Sequence, residues 1–189
     1  MIFRKKIINY GAFHYSTPLT SSGDYIRRPL YQKILIRIPL FFANANIFVS
    51  YYEYNDVVKN IYVKNPRVVH HGVSPPLINH SNLSLGKFWP SNCTYRLLTI
   101  SWLETNNIER KLLKESVLAV LDLYSKGYDV HFCIAGRPGP GFSSFKNWVR
   151  SIDHENVVSF LGHVDDATKS FLLKNCYLYL SPTLYEGFG

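Results

Sequence analysis

The sequence has few acidic residues and few cysteines. Only 13 Asp and Glu stand against 21 Lys and Arg among 189 residues, which gives a formal net charge of +8. We therefore expect an anionic partner: nucleotide phosphates, nucleic acid or an anionic membrane surface. The cysteines, Cys93, Cys133 and Cys176, are scattered and form no CxxC pair. Their apolar surroundings predict free, buried thiols at Cys133 and Cys176, and hence a reducing compartment.

Long apolar runs are also missing. The first 13 residues carry Arg4, Lys5 and Lys6 but lack the uninterrupted apolar core that a secretory signal needs. The most apolar later run, residues 34–49, is excluded as a membrane span because it is broken by Arg37, Pro39, Asn44 and Asn46. These features predict a cytoplasmic protein and leave open a peripheral contact with the inner face of an anionic membrane.

Apolar residues are nevertheless abundant enough for a packed core, at 47% of the chain, and in the second half they follow a regular alternation. Strands are predicted at 96–101, 130–135, 157–161 and 177–180. Helices are predicted between them, at 108–126, 143–152 and 165–174, the last with Asp165 as N-cap. Near-continuous apolar strands that alternate with helices indicate a parallel sheet covered on both faces, the arrangement of a Rossmann-like domain.

The first half of the sequence is less regular. Short strands are predicted at 6–13, 47–50 and 68–69, with helices at 28–44 and 53–63, too few strands to close a core of their own. Pro75, Pro76 and the polar stretch to Asn92 are typical of a linker. We therefore predict an α/β fold with an incomplete Rossmann-like unit at 1–76, a linker at 77–94 and most of a second Rossmann-like domain at 95–189.

Ligands of open α/β sheets bind beyond the carboxyl ends of the strands, and the segments at those ends carry a resemblance. In chain order they are FHYST at 13–17, FVSYYE at 48–53, VVHHGV at 68–73, CIAGRPGPG at 133–141, NVVSFLGHV at 156–164 and LSPTLYEGFG at 180–189. Their order and spacing resemble the family 4 retaining glycosyltransferases of the GT-B fold, and the last string is the most diagnostic.

This resemblance implies two Rossmann-like domains that transfer a sugar from a nucleotide-diphosphate sugar to a glycan or lipid acceptor, with retention of configuration. It implies no cofactor and no metal. The chain would hold the last part of the acceptor-side domain, the linker and a truncated donor-binding domain at 95–189.

The resemblance also assigns two catalytic residues. His14 matches a histidine that contacts the donor sugar and its phosphate, where hydrogen bonding supports the departing diphosphate. Glu186 is placed to accept hydrogen bonds from sugar hydroxyls, and the backbone N–H groups of Gly187, Phe188 and Gly189 would approach the pyrophosphate at a helix N-terminus. The family motif resembles Glu-x7-Glu, and its second Glu would fall beyond Gly189.

Two further loops are implied to bind the donor. Gly136 and Arg137 border the donor site, and Gly162, His163 and Val164 occupy the loop whose backbone contacts the nucleobase. Each set is also compatible with an ordinary strand-to-helix loop. His70 and His71 face opposite sides of an extended segment, so we interpret them as part of a polar hinge rather than as metal ligands.

One segment departs from the family pattern. Where the family has Arg and, a few residues on, Lys, this chain has Trp102 and Asn106 or Asn107. Arg110 and Lys111 come later, inside the predicted helix. Because two cations normally hold the leaving diphosphate, their loss is expected to lower the rate by orders of magnitude.

Two other functions stay open. The chain is also compatible with a non-catalytic or partner-dependent protein that keeps a nucleotide-sugar cleft, and with a basic nucleic-acid-binding α/β protein, although it carries no recognisable nucleic-acid motif. Residues 27–42 mix cations with large apolar side chains, which fits either a membrane-surface segment or a core helix with a basic exposed edge.

Overall fold

The computed structural model describes residues 6–11, 29–72, 83–184 and 186. These residues group into two compact units. The first contains residues 6–11, 29–72 and 186, and the second contains residues 83–184.

The first unit is built on a three-stranded parallel sheet. Its strands β1 (Ile8–Gly11), β2 (Ala45–Phe48) and β3 (Pro66–Val68) pair in the order β1-β2-β3. Helix α1 (Leu30–Phe42) precedes β2, and helix α2 (Tyr51–Asn60) connects β2 to β3. One small core holds the unit together, formed by Ile36, Leu40, Phe48, Val57, Ile61 and Val63.

The second unit contains a four-stranded parallel sheet. Its strands are β4 (Tyr95–Ile100), β5 (Val130–Ala135), β6 (Val158–Gly162) and β7 (Leu178–Tyr179), in the spatial order β6-β5-β4-β7. The chain runs from β4 outward to β6 and then returns to the other side of β4. The strand order therefore reverses between β4 and β7, the kind of crevice where open α/β sheets bind ligands.

Both faces of this sheet are covered, as the sequence predicts. The helices are α3 (Thr105–Arg110), α4 (Leu113–Ser125), α5 (Phe142–Ile152) and α6 (Asp166–Asn175), and a short 3-10 turn spans Leu85–Lys87. All six residues of β5 are buried. Its alternate side chains enter two separate cores, one around Phe132 and Ile134 and the other around Cys133 and Ala135.

The single helix predicted at 108–126 is wrong, because the structure has two helices there. Leu112 separates α3 from α4 with a left-handed backbone, φ +50°. Ile108 and Leu113 are both buried, yet a continuous helix would turn their side chains about 140° apart. The break lets both side chains reach the same core, at the cost of an unfavourable conformation at Leu112.

The stretch before β4 packs tightly. Trp89, only 1% exposed, lies in a cluster with Cys93, Leu98, Cys133 and Leu172, so the predicted linker at 77–94 ends in residues of the second core.

All three cysteines are free, with Cys133 buried as predicted and Cys176 only half-buried. Burial raises the pKa of the Cys133 thiol to about 12. In the described part of the chain, no helix has both the length and the apolar character to cross a membrane.

Candidate functional site at the carboxyl edge of the second sheet

Residues at the ends of β4, β5 and β6 are joined directly at the carboxyl edge of the second sheet. The Ser101 N–H donates to the Ala135 carbonyl at 2.9 Å, and the Gly136 N–H donates to the Gly162 carbonyl at 2.7 Å. The structure thus brings together the two predicted donor-binding glycines, Gly136 and Gly162, on neighbouring strands.

Beyond this edge, residues 101–105 and 136–141 run side by side, and we call them the paired loops. Leu103 donates its N–H to the Arg137 carbonyl at 2.8 Å, and Gly139 donates its N–H to the Leu103 carbonyl at 2.9 Å. A third bond runs from the Thr105 N–H to the Pro140 carbonyl at 2.9 Å. These bonds extend the parallel pairing of β4 and β5 past the strand ends.

Two glycines of the paired loops are required by this packing. Gly136 has φ +149°, and a Cβ built there would lie 1.6 Å from the Ser101 carbonyl oxygen. Gly141 has φ +83°, and its Cβ would lie 2.3 Å from the Thr105 hydroxyl oxygen. The Gly136 N–H is already bonded to Gly162, and the space that a side chain would need is filled by Ser101. Packing alone therefore explains why this position is a glycine. Donor binding by Gly136 and the exposed Arg137 remains a prediction.

The third strand end leads into α6. Gly162 has φ +70°, His163 is exposed, and the side chain of Val164 packs against the core around Trp89. Asp165 caps α6 as predicted, since its carboxylate accepts the Thr168 N–H at 2.7 Å. Hydrogen bonds from Thr168 lower the pKa of Asp165. The backbone of 162–164 thus lies at the edge where nucleobase contacts are predicted, directly before a capped helix N-terminus.

Arg110 and Lys111 lie at the junction between α3 and α4, and not inside one helix as the sequence suggested. Asn107 donates its side-chain amide to Glu104 Oε1 at 3.2 Å, and Arg110 Nη2 donates to Asn107 Oδ1 at 3.0 Å. This chain of bonds holds the Arg110 guanidinium back along α3, towards the helix end nearest β4. The sequence signal for this arrangement was the i,i+3 spacing of Glu104, Asn107 and Arg110.

The segment that follows β7 contacts the same junction. The Leu180 N–H donates to the Leu98 carbonyl at 2.8 Å, which keeps the chain beside β4. The Arg110 carbonyl then accepts the Leu184 N–H at 2.9 Å and the Thr183 hydroxyl at 3.4 Å. Residues 181–184 are therefore fixed beside α3, at the reversal of strand order.

The predicted catalytic residues are only partly covered by the structure. Glu186 is half-buried and follows Leu184 by two residues. His14, Gly187, Phe188 and Gly189 lie outside the described residues.

Trp102, which stands where the family has Arg, is 54% exposed, and its indole Nε1 would be 3.0 Å from a Cβ built on Gly139. An exposed indole on one of the paired loops therefore lies against the other, at Gly139.

A buried carboxylate in the first unit was not singled out from the sequence. Glu53, 1% exposed, accepts the Val49 N–H at 3.2 Å, while its own N–H donates to Ser50 Oγ at 3.1 Å. Burial raises the pKa of Glu53 to about 7, against the opposing effect of the Val49 hydrogen bond. The signal that would have found it is the S-x-x-E spacing of a helix capping box.

The two adjacent histidines have separate partners. His70 Nδ1 donates to the Val49 carbonyl at 3.0 Å, and His71 Nδ1 lies 2.9 Å from the Tyr10 hydroxyl. Among the residues that the structure describes, no group of three His, Cys, Asp or Glu side chains is placed to hold a metal ion.

The fold is that of an α/β protein of Rossmann-like units, in which residues 101–105, 136–141 and 181–184 meet at the carboxyl edge of the second sheet. Residues 106–189 match the family model described as Glycosyl transferases group 1, so the predicted resemblance to glycosyltransferases is confirmed. No curated protein sequence gives a significant match to the chain.

Solved structures support the same fold. A TarM crystal structure covers 84% of this chain at 18% identity, with a TM-score of 0.63. A variant of TarM from S. aureus, in complex with fondaparinux, alpha-GlcNAc-glycerol and UDP, gives the same coverage and identity with a TM-score of 0.64. Sucrose-phosphate synthase from Thermosynechococcus elongatus covers 96% at 14% identity, with a TM-score of 0.70.

The fold of the chain is thus α/β and GT-B-like, as predicted. The chain spans 28% of the length of the TarM structure and 45% of that of the sucrose-phosphate synthase.

Proposed function

We propose that this chain is part of a glycosyltransferase that transfers a sugar from a nucleotide-diphosphate sugar to a glycan or lipid acceptor, with retention of configuration and without a metal. One observation carries the proposal. Residues 181–184 are hydrogen-bonded to the Arg110 carbonyl at the reversal of strand order, and this region lies within the residues that match the glycosyltransferase model.

The diphosphate of the donor would be held by Arg110 and Lys111. These two cations follow each other at the α3–α4 junction, and Asn107 orients the Arg110 guanidinium. Charge on a departing diphosphate is stabilised by fixed cations, and a guanidinium can bind two phosphate oxygens at once. At the positions of the family's Arg and Lys, this chain has Trp102 and Asn106 or Asn107. In this proposal Arg110 and Lys111 supply the two positive charges instead.

The remaining roles follow the motif residues. Glu186 would accept hydrogen bonds from sugar hydroxyls, and the backbone of Gly187, Phe188 and Gly189 would donate to the phosphates. His14 would act on the donor sugar and phosphate from the acceptor-side domain. The backbone of 162–164 would contact the nucleobase, with Gly136 and Arg137 at the border of the site. The TarM variant was solved with UDP, which supports a uridine or similar diphosphate here.

Thermal unfolding with added nucleotides tests the donor site. We expect UDP or GDP, and more strongly a UDP- or GDP-sugar, to raise the melting temperature in a saturable way, because a ligand that binds only the folded state stabilises it. The double variant Arg110→Ala/Lys111→Ala should lose the response to nucleotide and to nucleotide-sugar. Glu186→Ala should keep the response to nucleotide and lose only the additional response to the sugar.

Matched controls come from the same helices. Glu109→Ala and Lys114→Ala change exposed charges close in sequence to the junction and should respond like the unaltered chain. An equal response in Arg110→Ala/Lys111→Ala and in these controls would refute the phosphate role of the junction. No response to any nucleotide-sugar would refute the donor site itself.

The exposed Trp102 favours a second candidate, a non-catalytic protein that binds nucleotide-sugars. An indole cannot supply the positive charge that an arginine gives to the leaving group. Release of nucleoside diphosphate from the bound donor separates the two functions. A saturable melting shift without any release supports the binding protein, and release that depends on Glu186 supports the transferase.

A further inference from the structure

Trp102 is presented to solvent by a backbone that is fixed on both sides. Its neighbours Ser101 and Leu103 are 6% and 0% exposed, whereas Trp102 is 54% exposed. The Ser101 N–H donates to the Ala135 carbonyl at 2.9 Å. The Leu103 N–H donates to the Arg137 carbonyl at 2.8 Å. Because side chains alternate along an extended segment, burial of both neighbours turns the indole outward at the carboxyl edge of the second sheet.

The indole is also fitted to the opposite loop. A Cβ built on Gly139 would lie 3.0 Å from Trp102 Nε1 and 3.0 Å from Glu104 Cβ, closer than non-bonded heavy atoms normally approach. Unlike Gly136 and Gly141, Gly139 has no positive φ, so its backbone does not itself require a glycine. The space that the indole and Glu104 occupy does, and Gly139 therefore provides a seat for the ring.

The exposed part of this ring is a flat aromatic surface without charge. Phosphate groups bind to cations and to N–H donors, which the face of an indole does not supply. Every nucleobase, by contrast, has a planar face that stacks on an aromatic side chain. The chemistry of the Trp102 surface therefore favours the base of a nucleotide over its phosphates.

The direction in which the indole lies separates the base from the sugar. The strand order is β6-β5-β4-β7, so Trp102, at the end of β4, has the loop 136–141 on one side and residues 181–184 on the other. The indole lies against Gly139, on the first side. That side leads to residues 162–164 after β6, about 10 Å from β4 by the spacing of two strands, where the base is proposed to bind. Residues 181–184 lead instead towards Glu186, the residue proposed for the sugar.

We propose that Trp102 is the platform on which the base of the donor nucleotide stacks. The inference rests on the proposed donor site and adds to it a residue that binds the nucleoside. Where a cation at 102 would attract the diphosphate, the indole instead contributes stacking, so that more of the affinity comes from the base. Since any base offers a stacking face, the platform accepts uracil and guanine alike.

Calorimetric titration of the full chain with UDP, GDP, UDP-glucose and inorganic pyrophosphate tests the platform. Trp102→Ala should weaken the binding of all three nucleotides about tenfold or more, because removal of one stacking partner costs that order of affinity. Pyrophosphate has no base and should bind Trp102→Ala and the unaltered chain equally. Tyr128→Ala, which removes a 50% exposed ring before the amino end of β5, is the matched control and should bind as before.

Fluorescence gives a readout that a merely structural role of Trp102 would not move. Of the other two tryptophans, Trp89 is 1% exposed and Trp148 is half-buried and stacked on Phe145, so a base that stacks at the sheet edge quenches Trp102. UDP should therefore quench the emission of the unaltered chain in a saturable way. Trp102→Phe keeps an aromatic ring, and it should lose this quenching while it retains UDP affinity within about threefold.

A second variant examines the seat of the ring. Gly139→Ala places a methyl group where the indole lies, and we expect UDP to bind it several-fold more weakly while pyrophosphate binds as before. Gly86→Ala is the control, because its Cβ would meet Ser91 Oγ at 3.5 Å, an ordinary contact. Circular dichroism of each variant confirms that the fold remains.

The outcomes separate this inference from the proposed function. Equal UDP affinity in Trp102→Ala and Tyr128→Ala would overturn the platform and leave the donor site in place. A loss in Trp102→Ala that appears with UDP-glucose but not with UDP would assign the indole to the sugar and overturn its role for the base. An equal loss for pyrophosphate would mean general damage to the site rather than lost stacking, and would also overturn the inference. No binding of any of the nucleotides to the unaltered chain would refute the donor site and the platform together.

Discussion

Gly136 illustrates how one residue type can serve packing inside a motif that resembles a phosphate-binding loop. The glycine-rich string at 136–141 invites a role in ligand binding. In the structure, Gly136 and Gly141 instead leave room for atoms of Ser101 and Thr105. The prolines at 138 and 140 carry no N–H donors, so the loop is better suited to pairing with its neighbour than to holding phosphates.

At the residue scale we therefore predict that Gly136→Ala destabilises the second unit by more than about 3 kcal/mol, because the new Cβ would overlap the Ser101 carbonyl and force the backbone to move. Urea denaturation followed by tryptophan fluorescence measures this change. Gly127→Ala is the control. Gly127 also has a positive φ, +86°, but no described atom lies within 4 Å of the added Cβ, so it should lose only about 1 kcal/mol. Similar losses in the two variants would contradict the steric explanation.

Single residues were partly predictable from the sequence. The strand-end rule found Gly136 and Gly162, which lie side by side at the sheet edge. It could not find the contact of the Arg110 carbonyl with Thr183 and Leu184, because residues more than 70 positions apart meet there and one sequence carries no signal for such a pair. Glu53 was overlooked because its carboxylate was considered only as part of a family string.

At the scale of elements, Glu53 connects the end of β2 to the start of α2. Its raised pKa means that the folded chain binds the proton of Glu53 more tightly than the unfolded chain, whose pKa is 4.5. The contribution of this group to stability is therefore fully present below pH 4.5 and is lost as the pH rises through about 7.

We expect Glu53→Gln to remove this pH dependence. A neutral amide keeps an acceptor for the Val49 N–H and avoids a buried charge, so the variant should be more stable than the unaltered chain at pH 8, by roughly 1–2 kcal/mol. At pH 5 the two proteins should differ little. Denaturant titrations by far-UV circular dichroism at both pH values measure the difference, with Asp56→Asn, at a half-buried position in the same helix, as a charge-matched control. A stability gap that is the same at both pH values would contradict the titration of Glu53.

Elements with an uninterrupted apolar pattern were predicted well, and elements set by backbone exceptions were not. Strand β5 was predicted with its observed limits, 130–135, because every residue in it is buried. The division of 108–126 into two helices was missed, because Leu112 adopts a left-handed conformation that leucine rarely takes. In α1, Ile36 and Leu40 pack into the core while apolar residues such as Leu35 and Phe42 are exposed. The sequence could not show this, since hydrophobic periodicity does not reveal which of two apolar faces meets the core.

At the scale of the whole molecule, the two units have separate cores and different optical signals. Residues 1–73 contain no tryptophan, and Trp89, Trp102 and Trp148 all belong to the second unit. Tryptophan fluorescence therefore reports on the second unit, whereas far-UV circular dichroism reports on both.

Two matched core substitutions use this division. Val117→Ala, in the second unit, should lower the free energy of unfolding measured by tryptophan fluorescence by roughly 2 kcal/mol. Val57→Ala, in the first unit, should leave the fluorescence transition unchanged. It should shift part of the change in far-UV circular dichroism to a lower denaturant concentration. Both valines are buried, at 0% and 4% exposure, so the deletions are comparable. A fluorescence shift of equal size in both variants would mean that the two units unfold as one cooperative system.

The paired loops also constrain how this sequence can change over generations. Because Gly136 is fitted to the backbone of Ser101 and Gly141 to the side chain of Thr105, an insertion or a bulkier residue in 101–105 would demand a compensating change in 136–141. In related sequences we therefore expect substitutions in the two loops to occur together. The presence of Trp102 should then be accompanied by a matching substitution in 136–141.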